Sequence, residues 1–294
     1  MVDRVNTRGS SADLHDVISR VSVVVGVRLS KDRPSCATRL SHVLEWTANN
    51  GFKGIIVVDT TPTLHPARLM LRRMCARSGA SYVHRPLEVH SPSIVRNTGF
   101  DVALGQPTSH VLFLDVDVLG QRGSLERLAR HVRENRDFEW CPVIFTPAGE
   151  GLERMSRYVS QQETRYIGPI QQTGYATGIQ LVSKAFWPQL GGYDEAFIGY
   201  GCEDIEMIHR ATALLGQRGA FDSDDEYFED HRTLDPDDYR GYRLWMMQQK
   251  QHVPQEQMWV HFHHDRRAGS AYWGARAAND VRLDKKLKNF DAKR

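Results

Sequence analysis

The stretch HVLFLDVDVLG (110–120) is apolar through residue 114 and then places two aspartates, Asp115 and Asp117, near its carboxyl end. Its Val, Leu and Phe content marks a strand buried on both faces. Three similar runs precede it: VSVVVGVRL (21–29), GIIVVDTT (54–61) and the weaker SYVHRPL (81–87). Helical segments separate them. Pro34 opens one through about Asn50, PARLMLRRMCARSG is amphipathic and stops at Gly79, and SPSIVRNTGFDVALG reads as a helix from about Ser93 to Leu104. Strands apolar on both faces, alternating with helices, imply an α/β fold with a mostly parallel, doubly wound (Rossmann-like) central sheet flanked by helices. Ligands of such sheets bind outside the carboxyl ends of the strands, where Asp59 and Asp115 fall.

The second half is less regular. SLERLARHVREN (124–135) is helical, WCPVIFTP (140–147) is a strand, and 152–175 is a polar stretch rich in Gln, Arg and Tyr. An apolar strand, a Gly-rich turn, a helix, an acidic loop (222–238), a short helix and the strand-like MWVHFHHDRR follow. The expected organisation is a flexible terminus over 1–18 and one catalytic unit over 19–294. Within it, about 19–120 would bind a nucleotide, about 121–275 would hold the acceptor and catalytic groups, and about 276–294 would be a charged tail.

Length and composition fit that picture. The 294 residues are 40% apolar and 25% charged, and the formal net charge is +2. Such a balance gives no global signal for nucleic acid or a membrane surface. Basic runs such as RLMLRRMCAR (68–77) and HDRRAGSAYWGAR (264–276) fit contact with an anionic acceptor, although a solvated helix face explains the first equally well. Cys36, Cys75, Cys141 and Cys202 form no CxxC pair and read as reduced core thiols. No apolar run approaches the roughly 18 residues of a membrane span, and the N-terminus has no hydrophobic signal region, so a cytoplasmic location is expected.

Three segments carry chemistry. In an extended chain, residues i and i+2 face one side, so Asp115 and Asp117 can address one ligand. Two like charges so close raise each other's pKa, and a divalent cation removes that cost. The competing reading is a solvated polar strand end. In GGYDEAFIGYGCEDIEMIHR (191–210), Gly199 and Gly201 allow close backbone approach, and Glu203 and Asp204 stand at a helix start that favours carboxylates. A deprotonated carboxylate there can serve as general base, or it can simply cap the helix. In His261-Phe262-His263-His264-Asp265, the i, i+2 pair His261 and His263 shares a strand face. Imidazole with carboxylate favours Mn²⁺ over Mg²⁺, while a surface histidine cluster is the alternative.

Together these segments resemble the GT-A glycosyltransferases, and within them the β-1,4-galactosyltransferase and chondroitin-synthase-like branch. LDVDVL, GGYDEAFIGYGCED and VHFHH stand in that branch's order, and the likeness runs from about Val21 to Asp265. SIVRNTGFDVALG (93–105), with Arg96 and Asn97, resembles the RN-x-G helix that precedes the DxD strand in many GT-A enzymes. The resemblance implies a nucleotide-sugar donor, a UDP-sugar by preference, with Mn²⁺ or Mg²⁺. It implies Asp117 as metal ligand, Asp115 near ribose and metal, and His261 or His263 completing the shell, with His264 preceding an Asp as in some relatives. It also implies Asp204 as catalytic base and Glu203 against a sugar. Arg28 and Asp59 would meet uracil or ribose, and Arg96, Asn97, Tyr200 and Gly201 would lie at the donor site. Tyr200 replaces the family's usual Trp. The acceptor stays open among glycan, peptide, small molecule and modified nucleic acid. Inverting single displacement is the implied mechanism, with 222–238 or 152–175 closing over the donor. The rivals are a sugar-phosphate nucleotidyltransferase, a retaining transferase, a non-catalytic carbohydrate-binding module and a metal hydrolase.

Overall fold

The computed structural model describes residues 11–30, 35–175, 177–217, 241–264 and 271–291. Its strands are β1 (Val21–Val27), β2 (Gly54–Asp59), β3 (Ser81–His84), β4 (His110–Leu114), β5 (Val118–Gly120), β6 (Phe138–Trp140), β7 (Val143–Phe145), β8 (Gln172–Gly174), β9 (Gln180–Ser183) and β10 (Trp259–His261). Its helices are α1 (Ser11–Ile18), α2 (Cys36–Asn49), α3 (Arg68–Arg77), α4 (Pro92–Leu104), α5 (Arg122–Arg133), α6 (Leu152–Ser160), α7 (Trp187–Leu190), α8 (Glu203–Leu214), α9 (Gly241–Lys250), α10 (Ala271–Gly274) and α11 (Arg276–Asp291).

The main sheet has six strands in the order β3-β2-β1-β4-β9-β6. β1 to β4 are mutually parallel, as their doubly buried Val, Ile and Leu runs imply. β9 pairs antiparallel with both β4 and β6, so it alone runs against the other five. Side-chain alternation divides the core between the two faces. Val21, Val23, Val25 and Val27 of β1 join a core cluster shared with α1, α2 and α5, while Val24 joins one shared with α4, α8 and α11. Two separate cores on one sheet are the physical content of "doubly wound".

Several sequence expectations are corrected. Residues 11–18 are not part of a loose terminus: α1 buries Leu14, Val17 and Ile18 in the first core. Residues 110–120 are not one strand. The chain leaves the main sheet after Leu114, turns at Asp115–Asp117 and enters a second sheet, ordered β5-β10-β7-β8. WCPVIFTP divides likewise, with Trp140 ending β6 and Val143 starting β7 in the other sheet. Strands of three residues carry too few side chains for alternation to announce them. The stretch 152–175 is not a free flap, because α6 buries Met155, Tyr158 and Val159. The acidic segment 222–238 lies outside the described residues. The four cysteines are buried and none is disulfide-bonded, as expected. Among the described residues, no helix is long and apolar enough to cross a membrane.

α4 lies close against the main sheet because Gly99 faces Val24 of β1; a Cβ at this glycine would collide with the Val24 Cγ1 methyl. Gly99→Ala is therefore expected to overpack the interface and destabilise the protein by about 1–3 kcal/mol. Urea denaturation checks it, and an unchanged midpoint would contradict this packing.

Candidate active site

A cleft of about 280 Å³ opens where the main sheet meets the second sheet. Asp115, Asp117, Glu203, Asp204, His261 and His264 all line it. It lies beyond the carboxyl ends of β1 and β4, where the parallel strands stop and their backbone groups face outward.

Asp115 and Asp117 are not side by side on a strand. Val118 N donates to Asp115 O at 3.2 Å, which closes a turn between β4 and β5. The turn separates the two carboxylates by environment. Asp115 is 53% exposed and lies 3.8 Å from Arg96, whereas Asp117 is 7% exposed. Asp117 Oδ2 is 3.0 Å from His264 Nε2, and its Oδ1 is 3.6 Å from His261 Nε2. β10 brings these histidines in. His261 pairs in register with Val118, and Phe262 N donates to Asp117 O at 2.8 Å.

His263, expected as a ligand, does not join this group. The strand ends at His261, so i, i+2 alternation does not continue. Thr146 Oγ1 accepts from His263 N at 2.9 Å, and buried Arg39 donates to the carbonyls of Phe262 and His263. These bonds fix the chain beyond the strand, and His264 rather than His263 meets Asp117. Ligand atoms of Asp117, His261 and His264 lie within 4.8 Å of one another, close enough to share one ion. Two imidazoles with one carboxylate suit a divalent transition ion such as Mn²⁺. Asp115 stands outside that set.

On the opposite wall, α8 begins with Glu203 and Asp204, whose carboxylates favour the positive helix end. Glu203 is 5% exposed; its Oε1 accepts from Arg96 Nη1 at 2.9 Å, and its Oε2 is buried without a hydrogen-bond partner among the described residues. Burial, and then Asp204 beside it, push the Glu203 carboxyl up to about 7, against the pull of Arg96. Burial also opposes the charge on Arg96, but Tyr193, Glu203, Asp115 and Asp204 around it outweigh that and hold it protonated. One guanidinium thus serves several acids. Asp204 is half-buried and lines the cleft; its carbonyl accepts from Gln180 Nε2 at 3.1 Å.

Other expected donor-site residues have structural partners. Arg28 Nη1 donates to the carbonyls of Thr60 and Leu87, and Nη2 to that of Glu88, so it ties the β2 and β3 ends together. Asp59 is fully buried, with Thr61 N on Oδ1 and Tyr82 Oη on Oδ2. Both residues are absent from the cleft lining. Asn97 donates to Tyr193 O and accepts from Tyr193 N, so it holds the GGYDE turn. Arg96, Tyr200 and Gly201 do line the cleft. The Arg96–Glu203 pair joins residues 107 apart and left no signal in the sequence.

If the Asp117–His261–His264 cluster holds a divalent ion, loss of one of its side chains weakens Mn²⁺ binding at least ~10-fold. His264→Ala is expected to do so in a Mn²⁺ titration with UDP present, and His263→Ala to leave the affinity near wild type. The reverse order would contradict the cluster.

A family model described as the N-terminal domain of galactosyltransferase matches residues 157–231, about a quarter of the chain. The match includes the whole GGYDE…GYGCED segment. No curated protein matches the chain. Among solved structures, S. aureus TarS 1-349 is similar at 15% identity and a TM-score of 0.41, over 65% of this chain and 55% of that one. A mannosyltransferase from Pyrobaculum calidifontis, solved with GDP-Man and Mn²⁺, is similar at 18% identity and a TM-score of 0.39, over 81% and 62%. Glucosyl-3-phosphoglycerate synthase from Mycobacterium tuberculosis, with Mg²⁺ and UDP, is similar at 14% identity and a TM-score of 0.42, over 71% of each chain. The chain thus spans little more than half the length of the first of these structures. The family match puts a glycosyltransferase domain signature, that of a transferase enzyme, on the segment that carries Glu203 and Asp204.

Proposed function

We propose that the chain is a GT-A-type glycosyltransferase that moves a sugar from a nucleotide-sugar donor, UDP-linked by preference, to an acceptor hydroxyl. The observation that carries this reading is one cleft lined both by the Asp117–His261–His264 cluster and by the Glu203–Asp204 pair. The galactosyltransferase-domain match over the second of these supports it. In this reading the sheet half of the chain faces the nucleotide, and the later half faces the acceptor, within one catalytic unit.

The reaction proposed is an inverting single displacement. Asp204 accepts the proton of the acceptor hydroxyl. That oxygen bonds to the anomeric carbon from the face opposite the leaving group. The bond from the anomeric carbon to the diphosphate oxygen breaks, and its electron pair leaves with the nucleoside diphosphate. A divalent cation held by Asp117, His261 and His264 would supply positive charge to the diphosphate. Glu203 Oε2, buried and without a hydrogen-bond partner among the described residues, is suited to a sugar hydroxyl, and in its protonated state it can donate as well as accept. Arg96 holds Glu203 in place through the other oxygen.

A panel of nucleotide sugars with Mn²⁺, scored for donor hydrolysis, tests the donor without knowledge of the acceptor. Once an acceptor is found, Asp204→Asn is expected to lower kcat by about 10²–10⁴ while donor affinity stays near wild type. Weak donor binding with normal turnover would remove Asp204 from the base role. NMR of the product's anomeric configuration checks inversion.

A further inference from the structure

One more charged group forms part of the cleft wall. Arg276 opens α11 and lines the cleft beside Tyr200 and Gly201. Its Nε donates to Asp280 Oδ1 at 2.8 Å, one helical turn on. The guanidinium carbon lies 5.5 Å from the centroid of the Tyr200 ring. Asp280 Oδ1 also accepts from Cys202 Sγ at 2.9 Å, which ties this support to the residue before Glu203. Gly201 has φ +94°, and a Cβ there would collide with Arg276 Nη1. The backbone at residue 201 is thus shaped around the guanidinium.

These contacts fix one edge and one face of the group. Asp280 takes Nε, and the guanidinium carbon lies over the Tyr200 ring. Among the described residues, neither Nη has a hydrogen-bond partner, although the side chain is only 26% exposed. A planar pair of N–H donors, oriented by a partner behind it and set in a cleft wall, matches a carboxylate or phosphate in two-point contact. Burial opposes the charge, and the neighbours, Asp280 and Asp204 among them, outweigh it.

We propose that Arg276 binds a carboxylate or phosphate ester on the acceptor, so that the enzyme selects acidic acceptors over neutral ones. The acceptor, rather than the donor diphosphate, is assigned because Arg276 abuts Tyr200 and Gly201 and is influenced by Asp204, the group proposed to deprotonate the acceptor. The metal cluster, by contrast, is built from the β4–β5 turn and the end of β10. The word "acceptor" rests on the transferase reading; the anion site itself does not.

Equilibrium binding of matched probes tests this: methyl glucuronide, glucose 6-phosphate and methyl glucoside, each added to protein with UDP and Mn²⁺. The wild type is expected to bind at least one anionic probe about 10-fold more tightly than the neutral glucoside, the scale of one charge-assisted contact. Comparing the carboxylate with the phosphate arm identifies which anion the site takes. R276Q should abolish the advantage and R276K should keep part of it. The proposal is overturned if neither anion outbinds the glucoside in the wild type, a comparison that needs no variant. It is also overturned if R276Q keeps the advantage, or if R276Q weakens UDP binding instead. An intact anion advantage with no donor hydrolysis across the nucleotide-sugar panel would remove the transferase reading and leave the anion site standing.

Discussion

The antiparallel pairing of Val118–Gly120 with Trp259–His261 is the contact on which the candidate site depends. Residues about 140 positions apart in the chain meet there, and the register sets His261 opposite Val118. One further bond, from Phe262 N to Asp117 O, fixes the turn itself. Asp117 is thereby held, nearly buried, between two imidazoles instead of standing in solvent at a strand end. Burying a carboxylate is costly unless a cation or hydrogen bonds compensate. Here the compensation is built from the second sheet.

The opposite wall is organised by a second buried charge. Arg96 comes from the helix before β4 and Glu203 from the start of α8, so their ion pair connects the parallel-strand half of the fold to the later half. An ion pair this deep contributes little net stability, because desolvation offsets the attraction. Its consequence is positional. It orients Glu203 through Oε1, while Oε2 is buried with no hydrogen-bond partner among the described residues. Gln180 and Tyr193 extend the same support, since Tyr193 Oη donates to Gln180 Oε1 and Gln180 Nε2 donates to the Asp204 carbonyl.

The main sheet was legible in the sequence, because long runs such as VSVVVGVRL and GIIVVDTT carry enough side chains to announce themselves. The second sheet was not. Its strands are three residues long, and two of them continue segments that read as single strands. That gap bears on the choice among the three histidines, which the sequence leaves open. With a strand assumed through residue 263, alternation pairs His261 with His263; with the strand ended at 261, His264 takes the place. Arg28 and Asp59 stand near strand ends and Asn97 within α4, and their polar atoms engage backbone groups, Tyr82 and Glu195. Glu203, Asp204 and Asp117 stand out locally, at a helix start after glycines and at the end of an apolar strand, but capping or solvation explains each position equally well, and only the fold brings all three to one cleft.

The central claim is that the two sheets meet to form one metal-binding, carboxylate-lined cleft. A crystal structure with Mn²⁺ and UDP, with the metal located by anomalous scattering, addresses it directly. The account predicts a single manganese peak bonded to Asp117, His261 and His264, with the diphosphate on the side facing Arg96 and Asp115. Manganese bound elsewhere, or bonded through His263 with His264 turned away, would contradict it.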